Sequence, residues 1–457
     1  MAKQRRKFGT PKEWIKPKIE IEWVDEDMTS SSTTGTLIDL FSESSLFSEF
    51  KKCLPRRVSN NSYPTEVFAL TMMAGFLHGQ DSIDDQEEFD DDPGIESVLG
   101  ETPKPRAIGD WLRDFTDENL AGLKNFLHLQ AMKYRLKIAN GEPIVYDMDS
   151  TSHVQHGEKM EGLAWNYKQE WCLDSLVTFD EKGLAHGMEL RPGNTFSSQG
   201  AETQLNEVSA GLSHGTEKYY RADSAFCNED VLRANMRLGY RFTITAHSNM
   251  GWMNDKNQIT NWKPWEYSED EKLKAEKRKK PLLECEVGHY LYQPSWSDTV
   301  RFTVVVVRTK SDDLSLMSEM GGIWDYYAVV TNFSLFTNTD QEVITHHRKR
   351  GQAENFIREE KYNYDLKHFP CQSLKANHAY GLIALIAHNF LRTIAVIDRP
   401  DKPHFAKKLR RKFLFIPGRL VKHARTLRMK IPARYQREVQ RLIEAWRFKP
   451  YPAIGFA

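Results

Sequence analysis

A mixed α/β fold is predicted for this 457-residue chain by three observations. Short apolar runs alternate with helical segments from Pro143 onwards. The first third instead carries its apolar residues at helical spacing. A mainly β stretch then interrupts the second region, and the chain ends in a strongly basic segment. With 40% apolar and 28% charged residues, the composition suits a chain that buries a sizeable core.

The elements follow in order. Residues 29–36 are rich in Ser and Thr and read as loop. From Pro64, the residues Val67, Leu70, Thr71, Met73, Ala74 and Leu77 mark an amphipathic helix, and two more are expected over 108–115 and 119–137. A strand over 144–149 ends in Asp149, and strands over 171–179 and 184–190 are joined by the turn 180–183. A helix over 199–212 precedes a fourth strand, 218–223, which ends in Asp223. Asn228 caps a helix running to Leu238, and a fifth strand covers 240–246. Strand, strand, strand, helix, strand, helix, strand is the order of an RNase H-like core. In that architecture the first and fourth strands are neighbours, and their ends supply adjacent acids. Strands at 290–292, 302–308 and 326–331 make the interruption a β insertion. The apolar stretch near 376–397 contains His388, Asn389 and Arg392; it reads as a buried helix that falls short of a membrane span. The expected division is a helical N-terminal region (1–138), a core in two parts (139–248 and 336–398), the β-rich insertion (249–335) and a basic C-terminal region (399–457).

A formal net charge of zero hides segregation. Residues 79–101 hold ten acids and no Lys or Arg, which reads as a solvated turn region without ligand spacing. Residues 401–450 hold 16 Lys and Arg against 3 Asp and Glu, an electrostatic footprint for a polyanion or else a solvated basic surface. The lysine run 272–280 reads as a solvated loop or a further basic contact. Five scattered cysteines, without a Cys-x-x-Cys pair, argue against a zinc ribbon and a disulfide framework and fit a reducing cytosol. Residues 1–7 are basic with no apolar run behind them, so no secretory signal is expected there.

Chemistry concentrates around Glu354. Arg350 lies four residues before it and Lys361 seven after, so all three fall near one helical face. Alone, this is the pattern of a solvated, ion-paired face. Together with Asp149 and Asp223 it supplies three carboxylates on separate elements, the donor set of a two-metal phosphoryl-transfer site. Hard oxygen ligands suit Mg²⁺ or Mn²⁺. Asp149 can equally be a strand-end turn residue and Asp223 an N-cap. Asp147, on the same strand face as Asp149, competes for the first position.

Arg350-x3-Glu354-x6-Lys361 resembles the Tyr-x2-Arg-x3-Glu-x6-Lys signature of bacterial insertion-sequence DDE transposases. The segments 146–151 and 221–226 are similar to that group's first and second acid motifs, and the resemblance spans most of the chain. It implies a metal-binding catalytic triad of Asp149, Asp223 and Glu354, with two Mg²⁺ or Mn²⁺ ions. It also implies that Arg350 and Lys361 contact phosphates of the transposon ends. His347 occupies the signature's Tyr position; a DNA contact there depends on a ring that titrates near pH 6.5. Tyr327 stands where related enzymes stack an aromatic on a flipped base, or it simply packs the insertion's sheet. The function implied is binding of the terminal inverted repeats, metal-dependent cleavage and strand transfer into target DNA. The partners implied are double-stranded DNA and a second copy of the chain, in the cytoplasm at the nucleoid and away from membranes. The rivals are a catalytically inactive, transposase-derived DNA-binding protein and an RNase H-like metal nuclease without strand transfer.

Overall fold

The computed structural model describes residues 21–446, apart from 22, 25, 58–61, 214, 261, 311–323 and 424–425. The basic start at 1–7, Arg425 and the stretch 311–323 of the expected insertion lie outside the described residues. The class is α/β.

The helical layer comes first. Helix α1 (Ser32–Ser42) begins inside the stretch expected to be loop. Its Ser32 and Thr33 hydroxyls donate to the carbonyls of Ile416 and Phe413, nearly 400 residues away in sequence. Partners so distant leave no trace in local composition, and they make a helix start out of Ser and Thr. Helix α2 (Thr65–His78) ends on Gly79 at φ +94°, a left-handed cap that a side chain would resist. Helix α3 (Asp117–Ile138) opens with a capping box between Thr116 and Asn119.

One sheet of ten strands forms the rest of the frame. Its central members are β1 (Ile144–Val154), β2 (Trp171–Asp180), β3 (Ala185–Pro192), β4 (Lys218–Ala222) and β5 (Arg241–Thr245), in the spatial order β3-β2-β1-β4-β5. The pairs β1–β2 and β2–β3 are antiparallel, whereas β1–β4 and β4–β5 are parallel. The strands β6 (Cys285–Tyr292), β7 (Phe302–Lys310) and β8 (Trp324–Thr331) extend the same sheet, because β8 pairs with β5 antiparallel. The mainly β stretch therefore adds to the edge of the central sheet. Its lysine run is a helix, Glu269–Arg278, not a loop, with Ser268 and Glu271 forming a capping box.

Alternation along β1 sorts its side chains. Ile144, Tyr146 and Met148 enter a core with the helices α4 (Ala201–Ser209) and α5 (Glu229–Leu238). Asp147 and Asp149 face the opposite side, toward α6 (Asp340–Arg348) and α7 (Gly351–Asn363). The longest helix, α8 (Leu374–Asp398), packs against α2, α3 and β3. By length and apolar composition it does reach a membrane span, contrary to the expectation from its sequence, yet 94% of its apolar window is buried in the fold. Its polar residues clamp it to the β2–β3 turn: His388 to the Gly183 carbonyl, Arg392 to the Lys182 carbonyl, and Asn389 to both the N–H and C=O of Ala185. The N-terminal helices, α8 and residues 406–445 share one hydrophobic core.

Replacing Asn389 by Ala strands the Ala185 amide and carbonyl away from water. We expect a loss of about 1–3 kcal/mol in unfolding free energy by urea titration. An unchanged midpoint would show that the clamp is incidental.

Candidate active site

The parallel register of β1 and β4 brings the first two acids together. Asp147 lies opposite Arg221, β4 ends one residue later at Ala222, and the Asp223 charge acts on Asp149 from just past that end. Asp149 is not at the end of its strand, as expected, but midway along it, since pairing with β2 continues to Val154. What ends there is β4, at Ala222. The Asp223 side chain accepts the Ala225 N–H, capping the short turn that follows; the cap and the placement beside Asp149 coexist.

Asp147, the competitor for the first position, is fully buried and engages Arg221 through both carboxylate oxygens at 2.6 Å. The same guanidinium donates to the His346 carbonyl near the end of α6. One ion pair thus joins β1, β4 and the helix leading to Glu354. Its signal was legible: Asp147 and Arg221 each stand two residues before their acid, an equal offset on neighbouring parallel strands.

Arg350 continues the helical path (φ −53°, ψ −32°) between α6 and α7. Its guanidinium donates to Asp149 Oδ2 at 3.1 Å and to Glu354 Oε1 at 3.4 Å. Asp149 Oδ1 accepts its neighbour's amide, from Ser150, at 2.9 Å. The Asp149 side chain is 15% exposed and that of Glu354 60%, so the strand acid is the fixed member and the helix acid lies toward solvent. Burial first, then the Asp223 charge, push the Asp149 carboxyl up to about 6, against the pull of Arg350. Lys361 Nζ donates to Thr151 Oγ1 and to the Ser152 carbonyl, both at 2.6 Å. Burial lowers its pKa. Thr151 as the seat of Lys361 had no signal in the sequence beyond its place two residues after Asp149.

The donor set is chemically right for a hard divalent cation: three carboxylates, with acids on adjacent strands that repel one another. Among the described residues, however, no three His, Cys, Asp or Glu side chains are drawn into one ready-made metal nest. The contact geometry gives the reason on the Arg350 side, where a guanidinium lies against two of the acids. A concavity of about 320 Å³ opens just beyond Asp223, lined by Phe196, Cys227, His247, Tyr292 and Trp296 among others, but none of the three acids lines it. Asp149 instead stands on the face of the sheet toward α7, where Arg350 joins it to Glu354.

His347 is buried. Nδ1 meets the Thr243 carbonyl at 3.1 Å and Nε2 meets Thr245 Oγ1 at 3.1 Å, so neither ring nitrogen is presented to a phosphate. The Thr245 hydroxyl also meets the half-buried Tyr327 hydroxyl at 3.3 Å, linking 327 to 347. Part of the basic C-terminal segment is likewise used within the fold. Arg410 donates to the carbonyls of Phe76, Leu77 and Asn363, and Lys412 and Arg441 pair with Asp398. Lys407, Lys408, Arg411, Lys422, Arg428 and Lys430 remain exposed.

Burial first, then the Arg350 charge, pull the His347 pKa down to about 3. A folded value below the unfolded one, about 6.5, means its contribution to stability is complete above that pH and is lost as pH falls toward about 3. Its ring proton resonances should therefore stay constant between about pH 7.5 and 5.5; titration near 6.5 would show an open ring. Asp147→Ala leaves Arg221 buried without its partner and should cost about 3–5 kcal/mol in urea unfolding, with a smaller loss when Arg221→Met is added.

A search of curated proteins gives no match. A family model does match, over residues 14–446, nearly the whole chain. The chain belongs to the family described as transposase DDE domain, group 1.

Proposed function

We propose that the protein is an active transposase that binds the terminal inverted repeats of an insertion sequence, cuts them and joins them to target DNA. The carrying observation is Arg350, whose guanidinium bridges Asp149 on β1 and Glu354 on α7, with the Asp223 charge acting on Asp149. The order β3-β2-β1-β4-β5, with its one parallel and one antiparallel neighbour for β1, supports an RNase H-like reading of the core. In this reading residues 249–335 are an insertion and residues 399–446 belong to the DNA-binding and pairing apparatus.

Asp149, Asp223 and Glu354 would hold two Mg²⁺ or Mn²⁺ ions. Such ions, when bound, supply charge neutralisation at the attacking and leaving oxygens of a phosphodiester. The chain's own residues do the rest. Arg350 and Lys361 bind phosphates of the transposon end, as a forked and a point cation respectively. Ser150 orients Asp149 through its amide, and the Asp147–Arg221 pair holds the two strands in register. His347 positions the start of the Glu354 helix from inside the fold. Tyr327 is assigned to an unpaired base, its ring steadied through Thr245. The exposed cations of the C-terminal segment add sequence-independent grip on the backbone, and two copies pair two ends in a homodimer.

The test uses purified protein, Mg²⁺ and a duplex carrying the element's terminal repeats, with a circular target. Cut ends and joined products are expected, and Glu354→Ala should abolish both, a fall of at least about 10³-fold, while end binding survives. Cutting without joined product would instead identify a metal nuclease. Normal cutting by E354A would remove Glu354 from the site. Affinity for DNA should fall steeply with salt, by about 10³-fold or more between 50 and 200 mM if six or more phosphates are neutralised.

A further inference from the structure

We propose that Arg350 is an internal counter-ion for the acids, released by a DNA phosphate, so that DNA binding and divalent-ion binding at Asp149 strengthen each other. The inference rests on the functional reading above, in which these acids are metal ligands and Arg350 meets DNA.

One guanidinium touches acids on two elements, Asp149 on β1 and Glu354 on α7. With the Ser150 amide on Oδ1 and Arg350 on Oδ2, each Asp149 oxygen already carries a donor. Each oxygen keeps a second lone pair for a divalent cation, which would then lie beside the guanidinium charge. Ion and guanidinium therefore compete by charge.

The contact is built to break. At 3.1 and 3.4 Å it is looser than the two 2.6 Å bonds that tie Arg221 to Asp147 one layer deeper. Its Glu354 partner is solvent-facing, so water is at hand to replace it. Arg350 sits at the junction of α6 and α7, where the side chain can swing without disturbing a helix interior. A phosphate offers a guanidinium two parallel charge-assisted bonds, better than one oxygen from each of two carboxylates. Lys361 is held more closely, at 2.6 Å on Thr151 and Ser152, so Arg350 is the cation free to move first. Once Arg350 turns to the phosphate, the acids are left with their mutual repulsion and a cation relieves it. By linkage the coupling is reciprocal: a bound ion releases Arg350 and tightens DNA. Metal loading is thereby restricted to protein that already holds DNA, which keeps a phosphodiester-cutting centre idle elsewhere.

The experiment measures Mn²⁺ binding, by loss of the free-ion paramagnetic resonance signal, with and without a duplex ending in the element's own terminal sequence. Native protein should bind Mn²⁺ roughly tenfold more tightly in the presence of the duplex. Arg350→Gln should bind it that tightly without DNA and gain little on adding the duplex, and Arg350→Lys, which keeps the charge, should stay nearer the native behaviour. Equal native affinity with and without duplex overturns the proposal, and this comparison needs no variant to fold. R350Q binding no tighter than native, with a native-like melting profile, overturns it as well. Asp149→Asn separates the two levels. If D149N loses Mn²⁺ while the duplex has no effect on native protein, the metal site stands and the counter-ion role falls. If D149N binds Mn²⁺ as the native protein does, the functional reading falls and the counter-ion role with it.

Discussion

The buried pair Asp147–Arg221 is the contact on which the arrangement of the site depends. Two charges taken out of water are costly unless each is matched at close range, and here both carboxylate oxygens are matched by one guanidinium. A one-residue slip of β4 against β1 would put Arg221 and Asp147 out of reach of each other, leaving two unpaired buried charges. That penalty selects the register of β1 against β4, just past whose end the Asp223 charge acts on Asp149. A third Arg221 N–H, on Nη1, reaches the His346 carbonyl and so includes the approach to Glu354 in the same constraint. The pair thus ties together β1, β4 and the end of α6.

Around that pair the polarity is graded. On one side of β1 lies an apolar core of Tyr146, Met148, Tyr220 and Phe242. On the other, Asp147 is fully buried, Asp149 nearly so, and Glu354 open to water. The deeper acid has a permanent internal partner and the shallower ones share a looser one. Burial and the neighbouring carboxylate raise the proton affinity of Asp149, against the pull of Arg350. Helix α8 secures the arrangement from behind, held at the β2–β3 turn by Asn389, His388 and Arg392, the residues that interrupt its apolar run.

Local signals located most of the elements. Short apolar runs placed β2 to β5 to within two residues, while β1 continues five residues beyond its expected end. The capped helices α3 and α5 were legible for a similar reason: Thr116 and Asn228 act on amides only a turn away. Where the fold relied on distant partners, the local reading failed. Ser32 and Thr33 looked like loop residues until carbonyls from beyond residue 412 met their hydroxyls. The basic C-terminal segment read as a footprint for a polyanion, although Arg410 is spent on three carbonyls inside the fold. His347 looked like a surface base; threonines on β5 hold it inside.

What the sequence by itself determined is the inventory: the strand order, the three acids and their flanking bases, and the family to which they point. Residue types and short spacings encode these, and side chains a few positions apart interact whatever the rest of the chain does. Only the tertiary structure decided which charges face each other. Asp149 and Arg350 are separated by 201 positions, and Lys361 and Thr151 by 210. No local pattern specifies such meetings. They follow from the parallel closure of β1 on β4 and the packing of α7 over β1, and that closure turned a solvated-looking helical face into one wall of the site.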